Sequence, residues 1–161
     1  MVAVRPTLRR KTVSDAETVV FDRPGNVCFG CSPTNDRGLQ LQFVPVEAGV
    51  IESRYVVPGH FAGAPGIVHG GIQAALLDEI MGATISLTVG RKDFEREPIV
   101  TVDLSVHYLR PVKTGVPLTI RGRIVDRDKE FFFLEAEICG EDGRSCTKAE
   151  GRWKMVSHRR R

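Results

Sequence analysis

The residues best suited to chemistry in this sequence are a histidine, two glycines and an acid near the start of a long apolar segment. His69, Gly70 and Gly71 are consecutive, and Asp78 follows nine residues after the histidine. The first N–H groups of a helix have no partners inside the helix and lie at the positive end of its dipole. Glycine leaves such groups open to close approach by a ligand. A helix beginning here would therefore bind an oxygen atom that carries, or develops, negative charge.

The segment after the glycines has the spacing of a helix. Apolar residues recur at steps of three and four, no proline interrupts residues 69–89, and Gly90 supplies a C-terminal stop. At about 1.5 Å per residue, Asp78 lies roughly 12 Å along the axis from Gly70. Asp78 therefore cannot reach a small group bound at its own helix N-terminus. If the two cooperate, the acid comes from a second copy of the chain, which predicts a symmetric dimer with sites at the subunit interface.

A structural role for the same residues stays open at this point, because glycines also let a helix pack tightly and an acid can simply be solvated. The neighbouring Glu79 is a second candidate acid. It is about 100° around the helix from Asp78, so the two cannot face one site equally. We favour Asp78, which lies close to the azimuth of Gly71 and Gly82, where small residues leave room.

The length and the proportions of hydrophobic and charged residues are those of a single globular domain. The 161 residues, 42% hydrophobic and 27% charged, suffice for a core and are typical of globular proteins. The net charge of +3 is too small to indicate nucleic-acid binding, and its excess lies in basic runs at the chain ends. The sequence contains no run of 18 apolar residues, so no membrane helix is predicted. The N-terminus lacks the apolar centre of a secretion signal. We expect a cytoplasmic protein that binds neither nucleic acid nor membrane.

Two of the four cysteines form a C-x-x-C pair, Cys28 and Cys31. This spacing occurs in zinc and redox sites, but a structural zinc site needs four ligands. The other two cysteines lie in or beside predicted strands, and His60 and His69 lack zinc-like spacing. A lone histidine such as His60 is more often a structural hydrogen-bonding residue than a catalyst. We therefore expect a compact loop capping one end of the domain, and no metal.

The remaining segments predict an antiparallel sheet. Alternation over residues 39–43 and a second strand at 50–57 predict a hairpin, which a glycine-rich loop joins to the helix. Four strand-like segments separated by short turns then form a meander: 99–109, 116–125, 131–138 and 146–156. The simplest core wraps this sheet of about five to six strands around the apolar face of the helix, which is an α+β fold.

Simple alternation in the first meander strand places one set of side chains on a single face: Val100, Val102, Leu104, Val106 and Tyr108. Thr101 then lies on the opposite face. We assign residues 27–157 to the domain, residues 1–26 to a mobile arm with one short helix near 14–20, and residues 158–161 to a basic tail.

This pattern resembles the hotdog fold, and the sequence resembles the acyl-CoA thioesterases of that superfamily, specifically the phenylacetate-pathway (PaaI-like) branch. Three stretches carry the resemblance: the C-F-G-C loop through residue 39, residues 65–82 with H-G-G and the later Asp, and residues 101–111 ending in Y-L-R-P.

The resemblance implies a role for each matched position. His69 and Gly70 would polarise a thioester carbonyl, and Asp78 of the other subunit would be general base or nucleophile. Thr101 matches a Ser or Thr that orients the water or the acid, and Arg110 would hold the phosphates of coenzyme A. The expected substrate-binding set is completed by Gly71, Gly63 and His60. No cofactor or metal is required, because a thioester carbonyl is already electrophilic. We expect a homodimer, with further pairing into a tetramer left open.

Two other functions remain open from the sequence. A hydratase or dehydratase of the same fold carries an Asp followed by a His, and the reversed order here argues against it. A non-catalytic acyl-CoA binding or sensing module stays open, because Gly63 occupies a place where related enzymes often carry Asn or Gln. Fold alone does not decide between these functions.

Overall fold

One long helix packs against a six-stranded antiparallel sheet. The computed structural model describes residues 17–90 and 98–156. The elements, in chain order, are β1 (Val44–Glu47), β2 (Val50–Val56), a 3₁₀ turn (Gly59–Phe61), β3 (Ala62–Ala64), β4 (Ile67–Val68), α1 (Gly70–Thr88), β5 (Ile99–Tyr108), β6 (Pro117–Asp128), β7 (Phe131–Cys139) and β8 (Ser145–Met155). The main sheet runs β1-β2-β6-β7-β8-β5, and β3 pairs with β4 separately. The predicted α+β hotdog architecture is confirmed.

Helix α1 forms the centre of the core. It begins after His69 and ends before Gly90, whose φ of +62° is the left-handed conformation common where a helix ends. Its fully buried apolar side chains include Leu76, Ile80 and Ile85, which pack against buried residues of the sheet. Burial of this kind supplies most of the stability of a single domain.

Three glycines allow the helix and the sheet to approach closely. A Cβ built on Gly122 of β6 would lie 2.5 Å from the Thr84 hydroxyl, and one on Gly151 of β8 would lie 2.7 Å from the Met81 sulfur. On the helix, a Cβ on Gly82 would lie 3.0 Å from the Trp153 ring. Glycine within a strand often marks such an approach.

Strand β5 corrects the predicted alternation. Its register against β8 shifts between Thr101 and Asp103, so Val102 is an extra residue in a β-bulge. The bulge changes which residues face the helix: Thr101 is paired with the buried Trp153, while Val102 is 42% exposed. Val100 is also exposed, at 44%. The prediction that Val100 and Val102 share a face with Leu104 was therefore wrong, because the phase of the strand changes at the bulge.

The predicted strand at 39–43 also needs correction, since the ladder begins only at Val44. Gln40 has a φ of +52°, which breaks the extended conformation. The segment is tied instead to the cysteine loop, because the Leu39 N–H donates to the Phe29 carbonyl at 2.7 Å and the Leu41 N–H donates to the Gly30 carbonyl at 2.9 Å. The alternating burial was correct, but the partner is a loop and not a strand.

At the N-terminal end of the described residues, Val19 forms an isolated antiparallel bridge with Phe43. The described part of the predicted 14–20 helix is therefore extended, while residues before 17 and the 158–161 tail lie outside the described ranges. Across those ranges, no helix combines the length and hydropathy needed to cross a membrane.

Candidate active site

The N-terminus of α1 has one backbone donor left open. The Gly71 N–H donates to Nδ1 of the His69 side chain at 2.9 Å, so His69 caps its own helix. The N–H groups of Ile72 and Gln73 both donate to the His69 carbonyl. Within the described ranges, the Gly70 N–H has no hydrogen-bond partner. The dipole of α1 makes that N–H a donor suited to a developing oxyanion.

The cap also fixes the tautomer of His69. A ring nitrogen that accepts a hydrogen bond carries no proton, so the neutral ring has its proton on Nε2. The His69 side chain is exposed, and Nε2–H is therefore a second donor at this end of α1. The sequence predicted a carbonyl-polarising role for both residues, and the geometry provides one donor from each.

Two contacts hold this turn in place. The Tyr108 hydroxyl donates to the Gly70 carbonyl at 2.9 Å, and the His69 N–H donates to the Phe61 carbonyl at 2.9 Å. Gly63 lies directly against the histidine, because a Cβ there would approach His69 Cα to 3.1 Å. Gly63 therefore allows the preceding loop to pack against the His69 side chain. The sequence assigns no role to Tyr108, since only the fold brings it to α1.

Asp78 is held by Thr101 of the same chain. The Thr101 hydroxyl donates to a carboxylate oxygen of Asp78 at 2.8 Å. Burial raises the pKa of Asp78 above its ordinary value, and the Thr101 hydrogen bond partly opposes that shift. A carboxylate with a raised pKa, fixed by one hydroxyl, is suited to act as a general base near neutral pH. The bulge at Val102 is the reason that Thr101 reaches it.

Glu79 faces a different element. The Cys28 thiol donates to a carboxylate oxygen of Glu79 at 3.4 Å. Burial raises the pKa of Glu79, hydrogen bonds from Cys31 and Cys28 lower it, and the Asp78 charge raises it. The two adjacent acids of α1 thus lie against separate surroundings, Thr101 for one and the C-x-x-C loop for the other.

The remaining expected substrate-binding residues are peripheral to this arrangement. His60 is exposed in the 3₁₀ turn, with its ring centroid 4.3 Å from that of Phe61 and the two rings tilted by 51°. Arg110 donates from Nε to the Ser145 carbonyl at 3.1 Å and lies 3.8 Å from the Asp142 carboxylate. Its guanidinium is thus engaged by the turn between β7 and β8.

Comparisons with known proteins agree with the fold. A family model described as the thioesterase superfamily matches residues 65–147. A protein of Saccharolobus solfataricus, provisionally named as an esterase, is 31% identical over 120 residues, covering 73% of this chain and 80% of its own. Human acyl-coenzyme A thioesterase 13 is 25% identical over 99 residues, covering 62% of this chain and 67% of its own.

Solved structures show the same architecture. A provisionally assigned thioesterase of Ralstonia eutropha, related to phenylacetic acid degradation, superposes with a TM-score of 0.63 at 28% identity, covering 73% of this chain and 86% of its own. A hypothetical thioesterase of Streptococcus pneumoniae, determined with coenzyme A, has a TM-score of 0.59 at 24% identity, covering 70% and 85%.

Proposed function

The chain belongs to the thioesterase superfamily and is a thioester hydrolase, and we propose that it hydrolyses an acyl-CoA in a site shared between two subunits. One subunit supplies the open N–H at the start of α1, and the partner supplies Asp78. The observation that carries this proposal is the separation of the two chemical groups along one helix. Gly70 and Asp78 lie roughly 12 Å apart along the axis, so one chain cannot apply both to the same carbonyl. A two-fold symmetric pair of chains removes this difficulty and creates two equivalent sites.

Coenzyme A is the proposed leaving group. Its choice is supported by the name of the human relative, an acyl-coenzyme A thioesterase, and by the coenzyme A in the Streptococcus pneumoniae structure. The basic side chain expected to hold its phosphates, Arg110, is half-buried and would have to exchange its Asp142 contact for a phosphate.

The proposed reaction is addition of water followed by loss of the thiol. Asp78 accepts a proton as the water oxygen bonds to the thioester carbon, and the carbonyl oxygen becomes an oxyanion. The Gly70 N–H and the His69 Nε2–H donate to that oxyanion. The C–S bond then breaks, the electron pair leaves with sulfur, and the proton is returned to give coenzyme A and a free acid. Each oxyanion donor contributes typically about 10²–10³ in rate, and a general base about 10²–10⁴.

Mixing two inactive variants tests the shared site directly. Asp78→Asn removes the base, and His69→Ser removes the Nε2–H donor while keeping an oxygen that can cap the helix. Each variant alone is expected to hydrolyse acyl-CoA poorly. After unfolding and refolding together, about a quarter of wild-type activity should return, because half of the dimers are mixed and each mixed dimer has one complete site.

The outcomes of this mixing are distinct. If both residues acted within one chain, no mixed dimer would have a complete site and activity would not return. A double variant carrying both changes on one chain, mixed with wild type, provides the matched control. If wild type itself releases no thiol from short, long or aromatic acyl-CoAs, yet its melting temperature rises with them, the chain is a binding module.

A further inference from the structure

We propose that Cys28, Cys31 and Glu79 form a binding site for one thiophilic divalent cation, with Zn²⁺ as the expected ion. This site is separate from the thioesterase chemistry and does not depend on it. From the sequence no metal is expected, because neither the other two cysteines nor the histidines complete a zinc-like spacing with the C-x-x-C pair. The fold brings a third ligand from α1 that the spacing of the cysteines could not reveal.

The three ligand atoms lie close together, and one pair already has the separation expected in a coordination sphere. Both sulfurs and a carboxylate oxygen of Glu79 all lie within 4.8 Å of one another. Cys28 Sγ and Glu79 Oε2 are 3.4 Å apart. In a tetrahedral zinc site with Zn–S of about 2.3 Å and Zn–O of about 2.0 Å, a sulfur and an oxygen are about 3.5 Å apart. A cation can therefore enter with small side-chain adjustments.

The C-x-x-C loop leaves space for the Glu79 carboxylate. A Cβ on Gly30, between the two cysteines, would lie 2.1 Å from Glu79 Oε2 and 2.6 Å from its Cγ. No other residue type would let Glu79 lie over this turn. The Gly30 N–H donates to Cys28 Sγ at 3.3 Å, which holds that sulfur against the turn.

The charges of the cluster also favour a cation. No lysine, arginine or histidine forms an ion pair with Glu79 in the part of the chain that the structure describes. Cys31 is only 7% exposed, and Glu79 is half-buried beside a second acid, Asp78. Buried charges are normally paired or coordinate metals. A divalent ion would displace the two thiol protons to solvent and offset two of the three negative charges of the resulting thiolates and carboxylate.

A disulfide between Cys28 and Cys31 fits these observations less well. Oxidation would remove both thiol donors from Glu79 and leave a half-buried carboxylate without them. A metal uses the carboxylate as a ligand. Because Cys28 is only half-buried, a water molecule can supply the fourth position of a tetrahedral ion. The bound ion would fasten the cysteine loop to the helix, one residue from Asp78.

Cobalt substitution of the full chain tests the site. Purified protein is stripped with a chelator under reducing conditions and titrated with Co²⁺. We expect one equivalent per chain, with thiolate-to-cobalt absorption in the near ultraviolet and tetrahedral d–d bands in the visible, both displaced by Zn²⁺. Cys28→Ser, Cys31→Ser and Glu79→Gln should each weaken Zn²⁺ binding by at least about tenfold, the lower bound for disturbing even the outer shell of a metal site.

Cys139→Ser is the matched control, because Cys139 is a half-buried free thiol outside the cluster. It should bind Co²⁺ as wild type does. The proposal is overturned by a wild-type titration without thiolate bands, by unchanged binding in Glu79→Gln, or by mass spectrometry that finds a Cys28–Cys31 disulfide in protein purified without air. The wild-type titration and the conservative Glu79→Gln decide the question even if a cysteine variant does not fold.

Discussion

Asp78 and Glu79 are adjacent on α1, but their side chains contact different elements and different chemical groups. On the β5 side, Asp78 accepts a hydrogen bond from one hydroxyl, Thr101. On the loop side, Glu79 meets two thiols and a glycine that leaves room for its carboxylate. Burial raises the pKa of both acids. Two neighbouring carboxylates on one helix can therefore have different chemistry, because each is defined by the element packed against it.

The largest effect expected from this comparison is on catalysis. Asp78→Asn should lower kcat/KM for the preferred acyl-CoA by about 10²–10⁴, as loss of a general base does. Glu79→Gln, the matched change one residue away, should lower it by a much smaller factor. Steady-state thiol release measures both. If Glu79→Gln proves the more damaging, the two carboxylates have been assigned the wrong roles.

On the loop side, the expected effect is on stability. Gly30→Ala puts a methyl group into the space of the Glu79 carboxyl, so the side chain must leave the thiols or the loop must move. Overpacking of this kind typically destabilises by about 1–3 kcal/mol. Urea unfolding should show this loss in the free energy of unfolding.

Gly59→Ala serves as the control for that change, because a Cβ at Gly59 meets no heavy atom within 4 Å. Its free energy of unfolding should stay near that of wild type. Equal stability of both variants would show that Glu79 is not held over the C-x-x-C turn.

The smallest expected effect is a displaced pH profile. Asp78 acts as a base only when ionised, so kcat/KM should rise with pH as Asp78 loses its proton, at a pH above the ordinary carboxyl range. The Thr101 hydrogen bond favours the ionised form and lowers the pKa of Asp78. Thr101→Val should therefore move the acidic limb to higher pH, with activity lost mostly on the acid side. Thr101→Ser keeps a hydroxyl and should leave the limb closer to that of wild type.

The elements that are determined by the spacing of apolar residues and by nearby turn residues were predictable from the sequence. The helix after His69, the stop at Gly90 and the four meander strands follow from spacing and turn residues, and the structure confirms them. That His69 and Gly70 lie together at the helix N-terminus was also predictable, because they are consecutive in the chain, whereas the capping role of His69 was not predicted. These features depend on neighbours a few positions away.

Other features depend on distant parts of the chain and had no signal in the sequence. Nothing in the type of Val102 marks it as the extra residue of a bulge, so Thr101 was assigned to the wrong face of β5. Tyr108 reaches the Gly70 carbonyl across 38 positions, and Cys28 reaches Glu79 across 51. Such contacts are set by how the sheet wraps around the helix, which no local pattern contains.

The bulge in β5 also determines how this strand tolerates changes in length. Every residue from Ile99 to Tyr108 except Val102 has a partner on β8. Deleting Val102 would close the ladder and keep Thr101 and Leu104 on the helix side, giving a regular strand one residue shorter. Deleting Ser105 would instead turn the residues beyond it to the other face of the sheet. Related chains that differ by one residue in this strand should therefore carry the difference at the position of Val102, with the contact between threonine and acid retained.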